Sequence, residues 1–183
     1  MCGFTAIYSY GVHSTPVDGD VLESISQAMA QRGPDGDGLW MSDDGRVGLA
    51  HRRLAIIDLS SEAAQPMMLE TAKGRLYISY NGEIYNFMEL RRELELAGHH
   101  FITTSDTEVL LHLYEHYGQD MVNRLRGMFS FAIWDEDRQG MLLARDGFGI
   151  KPLYYMDHQG VITAASQVKA LLAGLKTQGR TRP

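Results

Sequence analysis

The chain is short of cysteine, of positive charge and of long apolar runs, and each shortage closes off a class of protein. Cys2 is the only cysteine in 183 residues, so no internal disulfide can form, which favours a reducing compartment. The 17 Lys and Arg residues are outnumbered by 23 Asp and Glu, and no segment clusters the basic side chains that a phosphate backbone would need. That argues against a nucleic-acid partner. No apolar stretch approaches membrane-spanning length, and the start lacks the basic-then-apolar pattern of a secretion signal. The expectation is a cytoplasmic protein without membrane association. Linkers and internal repeats are missing as well, and with 44% hydrophobic and 22% charged residues the composition is that of one globular domain with a sizeable core.

What is present begins at the first residues. Removal of the initiator Met would leave a thiol and a free α-amine on Cys2. Unperturbed, these titrate near about 8.5 and about 7.7–8.0, so the amine can take the thiol's proton close to neutral pH. The result is a nucleophile that carries its own base. Met1-Cys2 is also what a start codon followed by a small residue looks like, and only the rest of the chain decides between the two.

Strand and helix signals then alternate. Residues 3–10 read as a short strand with Phe4, Ala6 and Tyr8 on one face and Thr5, Ile7 and Ser9 on the other. Cys2 would sit at its very end, held by a sheet edge. Residues 21–31 carry apolar side chains at helical spacing with Asp20 as candidate cap, and Arg32-Gly33-Pro34-Asp35-Gly36 stops that helix as a tight turn. Residues 39–41 and 47–57 are strand-like around an Asp43-Asp44-Gly45 turn. In the second, Arg52 and Arg53 are either solvated charges or a fork for a carboxylate. Residues 59–68 read as a loop able to cover a pocket, and residues 76–80 as a strand running into Asn81-Gly82. That pair is a hairpin-turn signal, or else an amide and an unhindered N–H offered to a developing oxyanion.

Two helices follow, with Asn86 and Ser105 as caps, Glu89 and Glu108 three residues on, and Gly98 and Gly118 at their ends. Asp106 would face the positive end of the second helix dipole and stay ionised there, whether for helix-start electrostatics or for a ligand. Residues 121–125 form a short helical stretch. Residues 129–134 alternate cleanly as a strand, 141–144 return from it, and 145–152 make a polar, glycine-rich corner. A hairpin over 153–165, a helix over 166–175 and a basic tail complete the chain.

His112-Leu113-Tyr114-Glu115-His116 matches the H-x-x-E-H pattern of inverted zinc peptidases. On helical geometry both histidines fall with Glu108 and Glu115, opposite the apolar face of Val109, Leu113 and Tyr117. They should be solvent-exposed, and a catalytic zinc needs a third ligand in a dry cleft. His99-His100 reads as a polar connector. No metal site is expected.

Taken together, Cys2-Gly3, Arg32-Gly33-Pro34-Asp35, Arg53-Leu54-Ala55-Ile56-Ile57-Asp58, Gln65-Pro66-Met67, Tyr80-Asn81-Gly82-Glu83-Ile84-Tyr85-Asn86, Ser105-Asp106-Thr107-Glu108, Gly127-Met128-Phe129-Ser130-Phe131-Ala132 and the block from Arg145-Asp146 to Tyr154-Tyr155 occur in the order found in class II glutamine amidotransferases. The chain most closely resembles the glutaminase domain of the asparagine synthetase B family. The resemblance implies an α+β, N-terminal-nucleophile hydrolase fold, a four-layer αββα sandwich of two stacked antiparallel sheets, over residues 1–175, with 176–183 as a disordered tail. It further implies that Cys2 attacks the carboxamide of L-glutamine with its α-amine as base, and that Asn81 and the Gly82 N–H hold the oxyanion. Arg53 would grip the substrate α-carboxylate, Asp106 its α-ammonium with Glu83 nearby, and the backbone from Leu54 to Ile57 would line the pocket. No cofactor is implied for this half-reaction. ATP and Mg belong to a synthetase domain whose Ser-Gly-Gly loop has no counterpart here, so ammonia would pass to a separate ATP-dependent synthetase domain or subunit. Gln167 stands where the family has Glu. The alternative is a catalytically silent domain that binds glutamine or a partner, as would follow from a retained Met1.

Overall fold

The computed structural model describes residues 2–54 and 63–179. Among the described residues nine strands and four α-helices follow in chain order: β1 (Gly3–Ser9), α1 (Gly19–Gln27), β2 (Gly36–Met41), β3 (Val47–Arg53), β4 (Met67–Thr71), β5 (Gly74–Ile84), α2 (Phe87–Leu96), α3 (Asp106–Tyr117), β6 (Gly127–Asp135), β7 (Gly140–Arg145), β8 (Tyr154–His158), β9 (Val161–Ala165) and α4 (Val168–Thr177). They build one antiparallel sheet in the order β2-β3-β1-β9-β8 and a second in the order β4-β5-β6-β7.

The alternation of β1 explains the layering. Phe4 and Ala6 turn to the inner face, where they meet Leu49 of β3 and Tyr77, Ala132 and Trp134 of the facing sheet. Ile7, on the other face, packs with Val21, Leu22 and Ile25 of α1 and Ala170 and Leu171 of α4. In the second sheet Ile78, Phe131 and Ile133 turn outward onto Leu110 and Leu113 of α3 and Leu90 and Leu94 of α2. The order is helices, sheet, sheet, helices, as the resemblance implied. Trp134 and Phe4 are almost wholly enclosed, and each such side chain contributes on the order of 2–3 kcal/mol through burial.

Several local expectations change. β1 is the central strand of its sheet and not an edge, and Cys2 immediately precedes it beside the end of β3. Asp18, not Asp20, caps α1 by accepting the Asp20 N–H. Asn86 does not cap α2; its side chain bridges Arg124 O and the Arg126 N–H across the loop. Asn81-Gly82 is no hairpin turn but the far part of β5, opposite Ser130 and Phe129 of β6. Part of the expected covering loop is β4; residues 55–62 lie outside the described residues. Of the disordered tail expected over residues 176–183, Lys176 and Thr177 are instead the last residues of α4 and Gln178 caps it, while residues 180–183 lie outside the described residues. Ser105 does cap α3, accepting the Thr107 N–H.

α3 is buried on more than its apolar face, because the connector after α2 folds over it. Glu108 accepts the Ile102 N–H and both the N–H and hydroxyl of Thr103 at 2.7–2.8 Å, which fixes that connector. His112 is therefore only 5% exposed, against expectation, whereas His116 is exposed as expected.

The glycine-rich corner after β7 is organised by Asp146, whose buried carboxylate accepts the N–H groups of Phe129, Phe148, Ile150 and Lys151. Burial pushes its carboxyl up, and those four donors outweigh it and hold the group below its ordinary value. Asp146→Ala would strand several donors at once and should destabilise the fold by roughly 3 kcal/mol or more. Urea unfolding of the variant beside the parent measures this; a loss under about 0.5 kcal/mol would contradict that role for Asp146.

Candidate active site

The inner faces of the two sheets are apolar through most of their length and become polar at one end. Strand periodicity puts Val47, Leu49, His51 and Arg53 of β3 on the inner side, and Tyr77, Ser79, Asn81 and Glu83 of β5 opposite them. Two bonds tie the sheets there. The Ser79 hydroxyl donates to Ala50 O at 2.9 Å, and His51 Nε2 lies 3.0 Å from Tyr80 O, where it donates.

Cys2 continues the β1 alternation into this polar end. Pairing of Gly3 with Arg52 sets it beside the end of β3, and Sγ lies 3.3 Å from Leu54 N and 3.5 Å from Leu54 O. The Leu54 N–H donates to the sulfur, which fixes the position of Sγ beside the end of β3. Arg32 Nε holds the Cys2 carbonyl at 3.0 Å. The turn that contains Arg32 can approach because Gly33 has no Cβ, which would otherwise fall within the Arg52–Arg53 peptide backbone. Cys2 is half-buried, not sealed in the core.

β5 outruns its neighbour. β4 pairs only as far as Ile78, and beyond that point the N–H groups of alternate β5 residues leave the ladder on the open side. Tyr80 N–H is taken by Gln65 Oε1 at 2.6 Å and Ile84 N–H by Asp106 Oδ2 at 3.0 Å. Gly82 lies between them, and the same alternation directs its N–H the same way. A side chain at Gly82 would press on Met128 O and the Tyr80 ring. Asn81, 2% exposed, keeps its Nδ2 without a hydrogen-bond partner among the described residues. A buried orphan donor costs about 1–3 kcal/mol and calls for an explanation.

Asp106 reaches this end from the other side of the second sheet. Its Oδ2 accepts the Tyr80 hydroxyl at 2.7 Å as well as the Ile84 N–H. The dipole argument for an ionised Asp106 understated its enclosure: burial raises its pKa, with the Tyr80 and Ile84 donors pulling back. Burial, with Asp106 and then Glu83 adding to it, pushes the Tyr80 hydroxyl well up, so it stays the donor to Asp106, and Glu83 also raises Asp106. Arg53, half-buried, adds its charge to the His51 environment. Arg52 turns the opposite way, to Ser26, Gln27 and Asp37, and serves α1. Cys2, Leu54, Arg53, Asn81, Gly82, Glu83 and Asp106 thus gather at one end of the sandwich; Ile57 lies outside the described residues.

Comparison with known proteins gives the arrangement its relatives. Residues 1–182 match the glutamine amidotransferase domain family. This chain belongs to the class II glutamine amidotransferases. It is 42% identical over 173 residues to asparagine synthetase [glutamine-hydrolyzing] 1 of Bacillus subtilis, covering 94% of this chain and 27% of that one. It is 41% identical over 181 residues to amidase chry2 of Gibberella zeae, covering 94% and 26%. The chain therefore spans about a quarter of the length of these curated relatives. In fold it matches the glutamine phosphoribosylpyrophosphate amidotransferase from B. subtilis, solved with ADP and GMP, with a TM-score of 0.81 at 23% identity over 94% of this chain and 43% of that one. The class II domain has the N-terminal-nucleophile hydrolase fold, and among the described residues no helix is long and apolar enough to cross a membrane.

Four supporting residues escaped sequence reasoning: Arg32, His51, Gln65 and Tyr80. Arg32, Gln65 and Tyr80 lay within quoted sequence blocks, but nothing in the one-dimensional pattern gave their partners. Gln65 links Tyr80 N to Thr107 of α3, where its Nε2 donates to Oγ1 at 3.3 Å. The histidines of the peptidase-like pattern do not converge as that motif requires; His112 faces His99 of the connector, which also meets His116.

His51 makes the sandwich acid-sensitive. Burial lowers its pKa from 6.5 to about 4, aided by the Arg53 charge and opposed by the bond to Tyr80 O. The folded form keeps the ring neutral while the unfolded chain protonates below about 6.5, so its contribution is complete above that pH and declines as pH falls towards 4. The expected loss over that window is roughly 3 kcal/mol. Urea unfolding across pH 4–7 should show this slope in the parent and its absence in His51→Gln; identical slopes would rule out His51 as its source.

Proposed function

We propose that the domain hydrolyses L-glutamine to glutamate and ammonia through a thioester on Cys2. The observation that carries this is the unpartnered Asn81 amide beside the polar end where Cys2 Sγ meets the Leu54 N–H. With Met1 removed, the Cys2 α-amine takes the thiol proton and the thiolate adds to the side-chain carboxamide carbon. The new C–S bond leaves a negative oxygen, which Asn81 Nδ2 and the Gly82 N–H stabilise. The amine returns the proton to the leaving nitrogen, ammonia departs, and water adds to the γ-glutamyl thioester to release glutamate and restore the thiol.

Arg53 pairs with the substrate α-carboxylate and Asp106 with its α-ammonium, assisted by Glu83, while Leu54 and Ile57 line the pocket through their backbones. Arg32 and Tyr80 are positioning residues: one holds the Cys2 carbonyl, the other the Asp106 carboxylate. This half-reaction takes no cofactor. The ammonia goes to an ATP-dependent synthetase domain or subunit in the cytoplasm, in keeping with a relative named as a glutamine-hydrolysing asparagine synthetase.

Intact mass of the purified chain beside a glutaminase assay tests the proposal. The expected result is loss of one Met, glutamate formed from glutamine, and none formed by Cys2→Ala. Asn81→Ala should retain its fold and lose about a hundredfold or more in kcat. Retained Met1 with no glutamate formed would favour the silent, glutamine-binding reading, and undiminished turnover in Cys2→Ala would overturn the thioester.

A further inference from the structure

Two histidines and a glutamate on the far side of α3 form a second constellation, separate from the cysteine. The connector after α2 is fixed there by the donors to Glu108 and by Arg91 Nη1, which donates to Thr103 O at 2.6 Å. It presents the His99 ring to the last turns of α3. His99 Nδ1 lies 3.2 Å from His112 Nδ1 and 3.3 Å from Glu115 Oε2, and the remaining edge, His112 Nδ1 to Glu115 Oε2, is 3.4 Å. Three potential ligand atoms from two segments thus form a nearly equilateral triangle.

Glu115 Oε2 can accept from both imidazoles, but hydrogen bonding then leaves the His99 Nδ1–His112 Nδ1 edge at 3.2 Å as two donors face to face. An imidazole nitrogen carries at most one proton, directed along one line, so His99 Nδ1 can serve only one of its two edges. A cation above the triangle satisfies all three atoms. Bonds of about 2.0–2.1 Å in tetrahedral geometry put neighbouring ligands about 3.3–3.4 Å apart, whereas octahedral Mg²⁺ at similar bond lengths would need about 2.9–3.0 Å. Two imidazoles and one carboxylate also suit zinc rather than calcium or magnesium, which take oxygen.

The outer nitrogens support the same reading. His99 Nε2 lies 3.1 Å from His116 Nδ1, and His112 Nε2, buried without a hydrogen-bond partner among the described residues, faces Glu108 Oε1 at 3.9 Å. Metal-binding histidines commonly direct their second nitrogen to an acceptor, as His99 Nε2 does to His116, which fixes the ring and its tautomer; His112 Nε2 has Glu108 nearby but not within hydrogen-bond distance.

We propose that His99, His112 and Glu115 bind a divalent transition-metal ion of the zinc class in tetrahedral geometry, with water as fourth ligand on the exposed side of Glu115. The ion pins the α2–α3 connector to the helix whose other end carries Asp106. Nine residues separate Asp106 from Glu115, about 13 Å along the helix axis, so the site acts on the structure of α3 and not on the reacting amide. From the sequence no metal site is expected and His99 reads as a polar connector; the proposed triad departs from this by joining His99, in place of His116, to His112 and Glu115.

The test uses untagged, metal-stripped protein carrying Cys2→Ala, because a free terminal amine and thiol would themselves chelate zinc. Titration with Zn²⁺ should show one equivalent bound and a raised Tm, and Co²⁺ should give the intense visible bands of a tetrahedral complex. His99→Ala and Glu115→Gln, each checked for native circular dichroism, should bind at least tenfold more weakly. Absence of binding at micromolar Zn²⁺, a weak six-coordinate Co²⁺ spectrum, or unchanged affinity in both variants would overturn the site. Because the readout is metal binding in a chain without its thiol, it stands or falls apart from the glutaminase proposal.

Discussion

Contact between the inner faces of the two sheets is the constraint from which the rest follows. Phe4, Leu49 and Trp134 close the middle of that contact, and His51 and Ser79 continue it with polar bonds where the apolar side chains stop. A sandwich that ended in apolar contact alone would leave the backbone at its end without partners. Instead, the cross-sheet bonds use Ala50 O and Tyr80 O and leave room around them for Cys2 and Asn81. β1 lies between β3 and β9, and Cys2, which precedes it, is held by Leu54 and by Arg32.

The second organiser is the unequal length of β4 and β5. Where β4 stops, the open side of β5 needs partners, and side chains from two different places supply them: Gln65 from the approach to β4 and Asp106 from α3. Gly82 falls between these two. The Gly82 N–H therefore belongs to a strand held on both flanks, the kind of preorganised donor that the proposed oxyanion role requires. Pairing of Asp106 with Tyr80 has a related effect, since it ties the helix start to the same strand.

α3 therefore works at two ends. Its N-terminus delivers Asp106 to the active-site end of the sandwich, and its last turns carry His112 and Glu115 against the connector that precedes it. The same connector holds Glu108, so helix, connector and the start of the site form one packed unit. That burial on several faces is what removed His112 from solvent.

Periodicity gave the faces of individual strands, and the layer order came from the family resemblance. Residues 3–10 and 129–134 alternate so plainly that both buried faces can be assigned, and the ordered blocks around Cys2, Asn81 and Asp106 identify the family. Local signals failed where tertiary partners outweighed them: Asn81-Gly82 has turn chemistry yet lies in a strand because β6 pairs with it, and Asn86 gives up its capping role to bridge residues 124 and 126. By itself the sequence determined which residue types the site contains and the strand and helix faces that bury the core, because those depend on spacing along the chain. Only the tertiary structure decided that Arg32 holds Cys2, that Gln65 and Asp106 complete the open side of β5, and that His99 meets His112. Those contacts join residues 13 to 30 positions apart, and no local propensity reports a distance that is set by how two sheets and a helix pack.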